Sequence, residues 1–141
     1  MIEFHAGTGP DTQAIGIALE EMFLDYRIMP GKAPVPVIAM GGARLAGAGN
    51  ILPALARKTG RFLPEGDYSA WFAPSVDMAA LARTVEKSEF ICGAFSIADM
   101  NVYPRIAALQ GAADAEPAVA RWARRMWLRP AVGRGIGAVA G

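Results

Sequence analysis

Hydrophobic and polar positions along the chain change their rhythm near residue 60. Before it, short apolar runs alternate with helical spacing. "IEFHA" (Ile2–Ala6) is a strand-like run that stops at Gly7. "TGPDTQ" supplies helix-start chemistry, because Pro10 and Asp11 are favoured in a first turn. Ile15, Leu19 and Met22 then recur at helical spacing with Ala18 and Phe23 alongside, which predicts one buried face. "LDYRIMP" reads as a second strand closed by a turn at Pro30-Gly31, "VPVIAM" as a third, and Gly41-Gly42 turns it into a fourth, "ARLAG". A helix follows, and Pro53 constrains its start. A start near Ala48 would put the Pro53 ring against the Gly49 carbonyl inside the helix. A start at Asn50, as N-cap, puts Pro53 in the first turn, where no N–H is needed.

After residue 60 the pattern is helical. Met78, Leu81 and Val85 share one face of "DMAALARTVEKSEF". "FSIADMNVYPRIAAL" opens with Ser96-Ile97-Ala98-Asp99, a capping box, and carries Pro104 inside it, where a kink is expected. "EPAVARWARRMWLRPAVGRG" starts at Pro117 and should break near Arg129-Pro130. The Pro/Gly-rich "GRFLPEGDY" is the natural join, giving an α/β domain over 1–60 and an all-α domain over 61–141.

Composition narrows the function classes. With 141 residues, 53% hydrophobic and 19% charged, the chain is globular and outside the disordered range. Lys+Arg 14 against Asp+Glu 13 leaves little net charge, so nucleic acid and anionic membrane are not expected partners. No apolar run approaches the ~20 residues of a membrane span. The opening "MIEFHAGTGPD" lacks the regions of a signal peptide. Cys92 stands alone, so no internal disulfide forms, which fits a cytoplasmic location. One Cys and one His cannot make a Cys/His zinc site, and no metal is expected.

The order of motifs resembles the glutathione S-transferase superfamily, most of all bacterial members of the Nu class. "KAPVPVIAMGGARL" is similar to the family's G-K-V-P-V-L…D-G…L segment. "FICGAFSIADMNVYPRI" is similar to its F-L-x-G-x-Y-S-I-A-D…Y-P helix start, and "PAVARWARRMWLRPAVGRG" to its P-x-V-x-R-W…R-P-A-V ending. The resemblance implies a thioredoxin-like N-terminal domain followed by an all-helical domain, in a minimal version. Relatives carry a longer segment with a helix between "LDYRIMP" and "KAPVPV", and a longer first helical pair in the second half than "DYSAWFAPSVDMAAL".

The resemblance also implies where a glutathione site would fall, and there the chain departs from the pattern. The family's thiolate-stabilising Thr, just before the Pro of the first helix, corresponds to Gly9; Thr8 precedes it and Asp11 follows. Thr8 is the candidate catalytic residue. The competing reading is that Thr8 and Asp11 simply cap the helix. An Asp11 carboxylate would repel a thiolate unless a first-turn N–H engaged it. The family's E-S pair, which receives the γ-glutamyl group, corresponds to Gly47 and Ala48, which offer no polar side chain. Val35-Pro36 matches the family's cis-Pro dipeptide, whose backbone pairs with the ligand's cysteinyl unit, so the resemblance implies a cis bond; the competing reading is that the pair only shapes the turn into the strand.

Other candidates favour plainer roles. Cys92 reads as a buried, inert thiol, and His5 has no metal or triad partner. "GGARLAGAGN" lacks the Lys and spacing of a phosphate loop. Arg121, Arg124, Arg125 and Arg129 form a basic stripe that reads first as a solvated face. Trp122, Met126 and Trp127 read as packing residues. The expectation is a glutathione-transferase-like homodimer with a degraded site, binding glutathione, an apolar small molecule or a protein, with little transferase activity. The alternative is an active glutathione-dependent transferase or reductase using Thr8 and the Val35 backbone. Neither reading requires a cofactor; glutathione would be a substrate.

Overall fold

Alternation of Ile2 and Phe4 with Glu3 and His5 gives β1 (Ile2–His5) one fully buried face in the computed structural model, which describes residues 1–109, 111 and 113–140. Helix α1 (Pro10–Glu21) returns the chain so that β2 (Tyr26–Ile28) pairs parallel to β1. β3 (Val37–Met40) runs antiparallel to β1 with Phe4 opposite Ile38, and β4 (Ala43–Ala46) is a hairpin partner of β3. The sheet order is β2-β1-β3-β4. Residues 29–36 cross from β2 to β3 without a helix, pinned by Met29 N–H to the Phe4 carbonyl (2.8 Å) and Ala33 N–H to the Ala6 carbonyl (2.9 Å).

Helix α2 (Ala48–Thr59) has Gly47, not Asn50, as its N-cap and so starts three residues before the expected position. The Gly47 carbonyl accepts from both Asn50 N–H (3.2 Å) and Ile51 N–H (2.9 Å), while the Asn50 side chain donates to the Ala46 carbonyl. Pro53 therefore lies inside the helix. It is tolerated because the carbonyl deprived of its N–H belongs to Gly49, in an exposed first turn that water reaches. Phe23 departs too. The helix ends at Glu21, Phe23 takes φ 55°, and its ring turns out to 77% exposure beside the Arg61 guanidinium.

The second half is helical: α3 (Met78–Lys87), α4 (Ile97–Ala108), α5 (Pro117–Trp127) and α6 (Pro130–Ala138). The predicted capping box closes α4, with Asp99 Oδ2 accepting from Ser96 N–H at 3.0 Å. Asp99 does more than cap. Its Oδ1 also accepts from Ile91 N–H and from the Trp122 indole, both at 2.9 Å, tying the 90–94 turn and α5 to the start of α4. Trp122 and Met126 are fully buried, whereas Trp127, five residues on from Trp122 and near the opposite side of α5, is 59% exposed. The chain thus has a thioredoxin-like N-terminal domain and a helical C-terminal domain, as the glutathione-transferase resemblance implied.

Helix α1 joins them. It packs on the sheet, on α2 and α4, and most closely on α6, where Gly16 faces Gly135. A Cβ on either glycine would meet the other's backbone at 2.5 Å. Beside this crossing, Arg129 grips the buried Glu21 carboxylate with two bonds (2.7 and 3.0 Å) and lies 3.7 Å above the Phe95 ring. Arg129 is therefore a docking residue, not part of a solvated stripe; its guanidinium fork matches the carboxylate and stacks on the ring. Arg134 pairs with Glu20, which also accepts from the Tyr26 hydroxyl.

Two outcomes are expected. Gly135→Ala should lower unfolding free energy by about 2 kcal/mol, because backbone cannot yield as a side-chain tip can. Gly133→Ala, in the same helix with open space at its Cβ, should be neutral or stabilising in the same urea titration. Equal effects from the two would count against the crossing. The second concerns pH. Burial pushes the Asp99 carboxyl from 3.8 up to about 6, against the N–H donors that favour its charged form. The folded chain then holds that proton to higher pH than the unfolded one. Its contribution to stability is complete below about pH 4, declines as pH rises to about 6, and is constant above. The stability difference between wild type and Asp99→Asn should therefore shrink across that window; a flat difference would refute it.

Candidate functional site

A cleft of about 490 Å³ opens where the starts of α1 and α2 meet the 34–36 segment and α4. Thr8 and Asp11 line it from α1, Val35 and Pro36 from the loop before β3, and Gly49 from α2; Phe72, Asn101 and Arg105 close the other side. Among the expected residues, Thr8, Asp11, Val35 and Pro36 are thus brought together. Gly9, Gly47 and Ala48 do not line it.

Local backbone accounts for the glycine at two of these positions. Gly9 is the N-cap of α1 with φ 86° and ψ −169°, and Gly47 the N-cap of α2 with φ 83° and ψ 145°. This region of backbone space is essentially reserved for glycine. Neither cap makes a side-chain hydrogen bond, so the capping role weighed for Thr8 and Asp11 is not realised. Thr8 is exposed at the cleft, and Thr12 is committed elsewhere, its hydroxyl accepting from Gly7 N–H at 2.9 Å. The helix starts leave N–H groups, and the positive ends of two helix dipoles, near one space.

Asp11 does not confront that space with a free negative charge. Its carboxylate is paired with Arg105, 94 residues further along the chain. The sequence offered a first-turn N–H as the neutralising group; the structure supplies a guanidinium from the helical half. At Val35-Pro36 the expected cis bond is absent, for no peptide among the described residues is cis. The trans isomer is the more stable X–Pro form. Val35 is nonetheless 49% exposed, and the Pro36 carbonyl accepts from Gly47 N–H at 2.9 Å, joining the loop to the start of α2.

Asn101, Arg105, Phe72 and Gly49 were not anticipated. A signal for two of them exists: Asn101 and Arg105 are polar residues spaced i, i+4 in a mostly apolar helix, hence neighbours on one face. Cys92 lies elsewhere, half-buried beside Phe62 and Phe95, and burial pushes its thiol up. His5 ends β1 with Nε2 buried and without a partner among the described residues. No group of three acidic, His or Cys residues among the described residues can hold a metal, and no helix is long and apolar enough to cross a membrane.

No protein-family model matches the chain, and no curated protein resembles it in sequence. Solved structures do resemble it in fold. A glutathione transferase family member from Pseudomonas fluorescens Pf-5, with two glutathione bound, superposes at TM-score 0.79 with 22% identity, over 96% of this chain and 92% of that one. A glutathione transferase from Burkholderia graminis, also with two glutathione molecules per subunit, gives 0.79 and 22% over 99% and 88%. The theta-class enzyme of Xanthomonas axonopodis pv. citri, with glutathione bound, gives 0.79 and 14% over 96% of each. The fold is that of the glutathione transferases.

Because Gly9 occupies glycine-only backbone, placing a threonine there should cost stability. Gly9→Thr should lower the unfolding free energy by about 1–3 kcal/mol in a urea titration. A variant as stable as wild type would show that the N-cap backbone relaxes freely.

Proposed function

We propose that the protein is a glutathione-transferase-fold binding protein whose cleft takes a thiol peptide of the glutathione type weakly, through main-chain groups, with little transferase activity and no further cofactor. The observation that carries this reading is the cleft itself: exposed Val35 and the starts of α1 and α2 border one space. An extended peptide can pair with the Val35 main chain while its carboxylate faces a helix start. The positions matching the family's two polar anchors, however, are glycine or alanine. Each lost hydrogen bond to a charged ligand group costs roughly 1.5–3 kcal/mol, and such groups act as a unit in catalysis.

One observation favours a second reading, an active thiol transferase. Thr8 is exposed beside an uncapped helix start, and Arg105 neutralises Asp11, so a thiolate placed there would meet N–H groups and a hydroxyl without an opposing charge.

Calorimetric titration with reduced and with oxidised glutathione decides whether the site binds, and a chromogenic thiol-conjugation assay decides between the readings. The expected outcome is a dissociation constant near the millimolar range, about −4 kcal/mol of binding, with conjugation close to the uncatalysed rate. Rapid conjugation that Thr8→Ala abolishes would replace the first reading by the second. No heat at several millimolar would overturn both.

A further inference from the structure

Two residues that line the cleft from α4 each carry a buried polar atom without a partner among the described residues. Asn101 is 1% exposed, and its Nδ2 donates to the Trp71 carbonyl at 2.8 Å. A carbonyl can only accept, so this bond fixes which way the amide points and leaves Oδ1 as the group facing elsewhere. That oxygen is buried and unpaired. One turn along, Arg105 spends an Nη on Asp11, while its Nε is likewise buried and unpaired. Both residues line the cleft. A buried hydrogen-bond acceptor and a buried donor thus belong to residues one turn apart on one helix face, both lacking, among the described residues, partners that folded proteins nearly always supply.

We infer that this wall recognises an amide edge: a ligand presenting an N–H to Asn101 Oδ1 and an adjacent carbonyl oxygen to Arg105 Nε. A hydrocarbon electrophile would leave both protein atoms buried and unpaired; an ester or ketone would satisfy only Arg105. The class selected is a carboxamide-bearing small molecule or peptide. The inference rests on the proposed reading that this cleft is the ligand site, but not on glutathione being what occupies it.

The test compares benzamide with methyl benzoate, which keeps the ring and carbonyl but has no N–H, by amide-resolved NMR titration of the full chain. Benzamide should bind about tenfold more tightly, the value of one hydrogen bond to an otherwise unpaired buried acceptor. Asn101→Leu should abolish that ratio. Because it also removes the bond to Trp71, Arg105→Met provides an independent signature: it should weaken both probes by the same factor and leave their ratio intact. Equal binding of the two probes to wild type, as expected if an ordered water simply bridges the two atoms, would overturn the inference. So would a tenfold ratio that survives Asn101→Leu, or no binding by either probe. Benzamide selectivity without glutathione binding would sustain this inference while removing the functional reading above.

Discussion

The contact on which the rest of the molecule turns is the crossing of α1 and α6 at Gly16 and Gly135. Two helices can approach backbone to backbone only where neither carries a Cβ, and both glycines meet that condition at one point. The approach places α1 under the helical half as well as on the sheet, so one helix has buried residues almost all round, including Thr12, Ile15, Ile17, Leu19 and Glu21. Glu21 and Glu20 then become anchor points for Arg129 and Arg134. Once α1 is held on both sides, its N-terminal end is fixed at the mouth of the cleft.

That geometry explains how the cleft is assembled from distant parts. Thr8 and Asp11 come from the start of α1, Val35 from the loop entering β3, and Asn101 and Arg105 from α4. The Asp11–Arg105 pair crosses the two halves at the cleft rim, where both partners are partly exposed. Its energetic value there is modest; its electrostatic effect is local, converting an acidic helix start into a neutral one. Asp99 plays the corresponding part in the helical interior, where one carboxylate gathers donors from the 90–94 turn, the start of α4 and α5. A buried acceptor with several donors fixes the angle between elements more firmly than apolar contact alone.

The glycines at the helix starts are tied to the local path of the chain. Gly9 and Gly47 are glycines in conformations that other residues rarely enter, so the absence of side chains there is coupled to the path of the backbone. Neither helix start carries a side-chain cap. The cleft accordingly offers main-chain groups on one wall and the Asn101–Arg105 pair on the other.

Local chemistry determined much of this directly from the sequence. The alternation in β1, the proline at the start of α1, the Ser96–Asp99 box and the break before Pro130 each act over a few residues, and each element stands where its own residues put it. The start of α2 differs from the expected one because the carbonyl that Pro53 deprives of a partner is the exposed one at Gly49, and exposure there is a property of the whole fold. Phe23 left its expected face because the helix ended before it. Only the tertiary structure could bring Arg105 to Asp11 or leave Asn101 Oδ1 unpaired. Pairing across 94 residues follows from how α1 and α4 are docked, and no local preference encodes that distance. The same holds for Gly16 and Gly135: as single glycines in helical stretches they look like weak points, and only their juxtaposition makes them the place where the molecule is joined.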